Sequence, residues 1–197
     1  MSEQLPNNQE LEPLTRTQIL IAMGITAIVL MIIAKLWQYF GNIALLPMEF
    51  TPTALLWGIL LGLGITGSSS IVYRLWPAYR VSADIYLELV IRPLIWPDLI
   101  WLGLLPGLSE ELLFRGVMLP AFGLDNIALI ASSLSFGILH LNGKEQWSYV
   151  VWATIVGMFL GYSALVTGNL LVPVIAHILT NFLSSFIWKI QHRDQVN

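Results

Sequence analysis

Long apolar runs decide most of what this chain can fold into. A bilayer core about 30 Å thick is crossed by roughly 20 residues rising 1.5 Å each. Ile19 to Phe40 is apolar except for Lys35 and two neutral polar groups, and Thr53 to Tyr73 carries no charge. Trp147 to Gly168 is also uncharged, and Asn169 to Trp188 holds His177 as its one ionisable group. Gly67, Ser68, Ser69 and Ser70 near the end of the second run predict close helix packing or an early bend.

The middle of the chain is less regular. Arg74 to Arg92 mixes arginines with Asp84 and Glu88 and reads as an interfacial or cytoplasmic segment, with entry into the membrane at Leu94 to Leu99. Pro106-Gly107 predicts a break in a helix arriving from Asp98, followed by a restart over Leu108 to Ala121 with Glu110 and Glu111 in its first turn. Asn126 to Leu141 makes a further, shorter span. The expectation is an all-α polytopic transmembrane helical bundle of about six spans, with a broken or re-entrant helix carrying the acidic pair. Residues 1–16 read as a polar tail, 17–93 as two spans and the interfacial segment, 94–188 as a helical core, and 189–197 as a second polar tail.

Composition agrees with a lipid environment. Charged residues make up 11% of the chain and hydrophobic residues 56%, against roughly a quarter charged in an ordinary soluble domain. A net charge of -3 with only 9 Lys and Arg leaves no basic face for nucleic acid. Cysteine is absent, so disulfides, thiolate ligands and a thiol nucleophile are excluded. Glu3, Glu10 and Glu12 against Arg16 give the wrong charge for a secretory signal, and a Met-Ser start carries no myristoylation site. An N-terminus in the cytoplasm puts Arg16, Arg74, Arg80, Arg92, Lys144, Lys189 and Arg193 on the cytoplasmic side, as the positive-inside rule favours. The chain is thus expected to be multi-pass in the cell membrane. Trp37, Tyr39, Tyr73, Trp76, Trp96, Trp147 and Trp188 fall near span ends, where interfacial aromatics gather.

Ionisable groups inside a bilayer cost at least ~2.5–3.5 kcal/mol each on insertion scales, so each needs a reason. Arg115 lies four residues after Glu111, which on a helix makes an ion pair and assigns both a structural part. Glu110 is left facing another way, available as a general base. His140 stands four residues after Phe136, and His177 and Asn181 are four apart on one helix face. If the three helices converge, a carboxylate and an imidazole can activate water while a second imidazole and an amide stabilise an oxyanion. Taken singly, each of these groups could equally be a helix-packing hydrogen bond. His192 reads as solvated, and Asp98 beside Pro97 as an interfacial or capping group.

Other intramembrane chemistries lack their residues. There is no His-Glu-x-x-His zinc motif and no Gly-x-Gly-Asp segment, and Ser68 to Ser70 read as a packing face rather than a nucleophile. Glu110, His140 and His177 are acceptable zinc ligands, yet their spacing matches no recognised zinc motif, so no metal is favoured.

Glu110-Glu111-Leu112-Leu113-Phe114-Arg115, Phe136-Gly137-Ile138-Leu139-His140 and His177-Ile178-Leu179-Thr180-Asn181 resemble, in order, the E-E-x-x-x-R, F-x-x-x-H and H-x-x-x-N motifs of the CAAX protease and bacteriocin-processing family. The resemblance covers Leu94 to Trp188 and implies an intramembrane endopeptidase acting on a peptide or protein substrate, lipidated in some members. It further implies a catalytic centre of Glu110, Glu111, His140, His177 and Asn181 supported by Arg115 and Phe136, in which Glu110 activates water with His140, His177 and Asn181 form the oxyanion site, and Glu111 with Arg115 holds the helix and the first carboxylate in place. Members are described both as metal-dependent and as glutamate-type. Related members also serve as scaffolds or immunity proteins, and buried carboxylates and histidines serve proton-coupled carriers as well, so both readings stand as alternatives.

Overall fold

A computed structural model describes residues 14–141 and 143–192 of the chain. The polar stretches 1–13 and 193–197, with Glu3, Glu10, Glu12 and Arg193, lie outside the described residues. The fold is all-helical: α1 (Arg16–Gly41), α2 (Pro52–Leu75), α3 (Pro77–Ile91), α4 (Asp98–Glu111), a π-helical segment (Leu112–Met118), α5 (Leu119–Ala121), α6 (Asn126–Ile138), a 3-10 turn (Lys144–Gln146), α7 (Trp147–Thr167) and α8 (Leu171–Gln191).

Helix starts follow local chemistry. Thr15 accepts from the Gln18 amide while the Gln18 side chain accepts from the Thr15 amide, a capping box for α1. Thr51 caps α2 ahead of Pro52, and Asp125 caps α6. Helices α1, α2, α7 with its preceding turn, and α8 are each long and apolar enough to cross a membrane. Where the sequence led to two further spans, the structure has a continuous helical stretch from Asp98 to Ala121 and the shorter apolar α6, neither among the four helices long and apolar enough to cross. Isoleucines 21, 25, 28 and 32 are exposed along α1, a face that only lipid would solvate well. The chain is an integral membrane protein built as a helical bundle.

Close approach of the helices is set by glycine pairs spaced four apart. Gly58 and Gly62 on α2 lie against Ile175, Ala176 and Leu179 of α8, and Gly103 and Gly107 on α4 lie against Ile178 and Phe182 of the same helix. Gly157 and Gly161 on α7 meet Phe136, Ser133 and Leu129 of α6. Without a hydrophobic drive inside lipid, such small-residue seams let backbones pack closely and supply much of the association energy. Helix α8 is therefore clasped between α2 and α4. A Cβ at Gly107 would stand 2.5 Å from Ile178 Cγ1 and 3.1 Å from its backbone nitrogen. Gly107→Ala should accordingly lower stability in detergent by about 1–3 kcal/mol, the usual cost of overpacking, read as a drop in melting temperature.

Two local expectations, the break at Pro106 and the early bend of the second run, are corrected. Helix α4 runs unbroken through Pro106, and the irregularity comes later, as the π-helical segment beginning just after Glu111. Pro106 removes one backbone donor, while Gly103 and Gly107 let the helix stay packed on α8 around it. Helix α2 continues through Gly67 to Leu75, so the early bend is not there, and the packing comes not from Gly67, which faces open space, but from Ser69, whose hydroxyl accepts from Trp152 Nε1 of α7 at 3.0 Å. Asp98, read as interfacial or capping, accepts from the Ile95 amide at 2.9 Å at the start of α4, and it also accepts from Arg16 Nε and Nη2 at 2.7 and 2.8 Å, tying the start of α1 to the start of α4. At the far end, α8 continues past Trp188, and both Trp188 and Lys189 are buried, with the Lys189 ammonium donating to the Leu94 carbonyl.

Candidate active site

The motif residues come from α4, the π-helical segment after it, α6 with the turn that follows it, and α8. Packing of α4 on α8 faces Glu111 to His177, and packing of α6 on α7 sets Phe136 beside them. Glu110, His140, His177, Asn181 and Phe136 line one cavity of about 150 Å³. A water needs on the order of 10–15 Å³ of such space, so the cavity admits water and has room for a substrate group.

Beneath the cavity lies a fully buried polar knot. Arg115 and Glu111 are both 0% exposed, with Arg115 Nη1 donating to Glu111 Oε1 at 2.7 Å. Arg115 Nη2 donates to the Gly157 carbonyl at 2.8 Å, and the guanidinium stands 4.5 Å above the Phe136 ring. The ion pair expected from the i,i+4 spacing is there, but Glu111 carries a second bond: His177 Nδ1 lies 2.7 Å from the same Oε1. A carboxylate accepts, so Nδ1 carries the proton and Nε2 is the atom left for the cavity. His140 is held in the same way, its Nδ1–H donating to the Phe136 carbonyl at 2.9 Å. Phe136 therefore positions both imidazoles, one through its backbone and one through an edge-on ring contact with His177 at 5.6 Å.

Glu110 differs from its neighbour. It faces the cavity, its Oε2 is buried, and that oxygen has no hydrogen-bond partner among the described residues. An unpaired carboxylate oxygen in an apolar surrounding is costly unless a bound molecule completes it. Glu110, His140 and His177, named as acceptable zinc ligands, share this cavity, while among the described residues no group of three or more His, Asp or Glu side chains is placed to hold a metal ion.

Helix α3 supplies a wall that motif reading passed over. Tyr79, Tyr86, Leu87 and Val90 line the cavity beside Tyr149 and Trp152 of α7. The signal was in the sequence: Arg80, Asp84, Glu88 and Arg92 recur every four residues as a charged stripe, and Tyr79, Ala83, Tyr86 and Val90 form the opposing apolar one. Arg80, Glu88 and Arg92 are exposed whereas Tyr79 and Ala83 are buried, so the segment is an amphipathic helix packed on the bundle.

Residues 92–183 match the family described as type II CAAX prenyl endopeptidase, Rce1-like. The matched stretch contains all three motifs and ends two residues after Asn181. The chain is also similar to the uncharacterized protein YpbD of Bacillus subtilis (strain 168), 33% identical over 96 residues. That alignment covers 49% of this chain and 48% of YpbD, so the chain spans about half the length of the curated relative it matches. No solved structure matches it.

Proposed function

We propose that the chain is an intramembrane endopeptidase, multi-pass in the cell membrane with its N-terminus in the cytoplasm, that hydrolyses a peptide bond in a protein or peptide substrate. The observation that carries the reading is one cavity shared by an unpartnered carboxylate, two imidazoles of fixed tautomer and an amide, Glu110, His140, His177 and Asn181.

In this reading Glu110 takes a proton from water as the water oxygen attacks the scissile carbonyl carbon, and the His140 Nε2 lone pair orients that water through its second hydrogen. The carbonyl oxygen becomes an oxyanion held by the Asn181 amide and by His177 Nε2–H. In this step both ring nitrogens of His177 donate, Nε2–H to the oxyanion and Nδ1–H to the Glu111 carboxylate, which strengthens the donor. The C–N bond then breaks as protonated Glu110 returns its proton to the leaving amine. No enzyme–substrate covalent bond forms, and no step calls for a metal.

The test is cleavage of a peptide library, with and without a prenylated terminal cysteine, by the purified chain in detergent. Cleavage is expected, and the preferred members define the substrate class. Prior treatment with a strong chelator should leave the rate within twofold; loss restored by a divalent ion would replace this mechanism with a metal-dependent one. Cleavage of no peptide, joined to carboxylate-dependent solute flux, would favour the carrier reading.

A further inference from the structure

Tyr86 lies on α3, outside the stretch that matches the family, yet lines the same cavity as Glu110 and His177. Its ring stacks on Tyr149 at 4.8 Å, and Tyr149 in turn stacks on Tyr79 at 6.1 Å and sits 6.0 Å from the His140 ring. The ladder is held rigidly. Ser82, one turn before Tyr86, shares its hydroxyl with Ser148 at 2.8 Å and donates to the Glu145 carbonyl at 2.9 Å, while Ser148 Oγ lies 2.9 Å from the Ala78 carbonyl. These contacts clamp α3 to the start of α7 and fix where the Tyr86 ring stands.

Tyr86 is half-buried at the cavity wall, and its hydroxyl makes no hydrogen bond with another described residue, so it is free to donate to a molecule that enters the cavity. Burial, and after it the nearby Glu110 charge, push the Tyr86 phenol up to about 12, so at neutral pH it remains a donor. A fixed donor without an acceptor, beside an unpaired carboxylate, is an incomplete pair of sites that a peptide backbone can complete.

We propose that Tyr86 is a substrate-positioning residue whose hydroxyl donates to a backbone carbonyl of the peptide next to the scissile bond, setting the register of the chain in the cavity. The proposal rests on the endopeptidase reading above. It gives α3 a function of its own: the family-matched core supplies the water-activating groups, and α3 selects how the substrate lies against them. A donor that must be satisfied discriminates more strongly than apolar fit, because a substrate lacking the acceptor leaves the phenol unpaired.

The experiment compares wild type, Tyr86→Phe and Tyr86→Leu on the best cleaved library peptide and on a series in which each flanking amide is replaced by an ester, whose carbonyl is the weaker acceptor. Tyr86→Phe keeps the ring stack, so its melting temperature should match wild type while kcat/KM falls about tenfold, chiefly through KM. One ester position should slow wild type and leave Tyr86→Phe unaffected, naming the carbonyl. If Tyr86→Phe stays within twofold of wild type while Tyr86→Leu fails, the ring acts by packing alone and the proposal is overturned. It is equally overturned if every ester slows both enzymes alike. Should wild type cleave no peptide, the endopeptidase reading fails and this inference with it, whereas cleavage by wild type separates the two.

Discussion

Glu110→Gln is expected to abolish peptide cleavage, by about 10²- to 10⁴-fold in kcat as for loss of a general base, while leaving the melting temperature unchanged or raised. The two halves of that expectation come from one observation. Glu110 reaches a cavity shared with both histidines, and its Oε2 is buried with no partner. A charge held that way is a cost to the folded chain, and removing it while keeping the side-chain volume relieves the cost. An amide cannot take a proton from water, so the chemistry is lost at the same time. Measuring kcat on the best library peptide alongside a detergent melt checks both. Undiminished cleavage by Glu110→Gln would sink the general-base assignment. A large drop in melting temperature would instead make Glu110 part of the structural knot, as Glu111 is.

The helical membrane architecture was legible from run length and charge, because a span must satisfy every backbone group within itself. The i,i+4 pairing of Glu111 with Arg115 was legible for the same kind of reason: four residues on a helix is a contact distance. What escaped was whatever depends on one helix meeting another. The second bond from Glu111 to His177 joins residues 66 apart in sequence, and nothing local announces it. The glycine pairs at 58 and 62, 103 and 107, and 157 and 161 did announce the seams that bring these helices together, and they are readable as small-xxx-small motifs. Proline misled in the opposite direction. Pro106 predicted a break, but in a membrane helix the neighbours absorb its missing bond, and α4 holds Glu110 at the depth of His140 without one. Charge masked the amphipathic character of α3, whose Tyr86 and Tyr79 face inward behind an exposed row of ions.

Breaking the buried knot should be the most damaging change to stability. Arg115→Met removes the guanidinium from Glu111 and from the Gly157 carbonyl and leaves a carboxylate, wholly buried, with His177 as its one remaining partner. Removing one member of a buried pair typically costs about 3–5 kcal/mol, because the other charge stays where water cannot reach it. Glu111→Gln strands Arg115 in the same way, since its Nε already lacks a partner among the described residues. The double variant Arg115→Met with Glu111→Gln leaves neither charge behind, so its loss should be well below the sum of the two single losses, a coupling read directly from the cycle of melts. Activity should not follow stability back. With Gln at position 111 the His177 Nδ1–H keeps only a neutral acceptor, which makes Nε2–H the weaker donor to the oxyanion, and cleavage should stay low in the double variant even where the fold is restored. Full recovery of both would mean that Glu111 and Arg115 serve only to hold the helices, and that the carboxylate on His177 Nδ1 is not what strengthens the oxyanion donor.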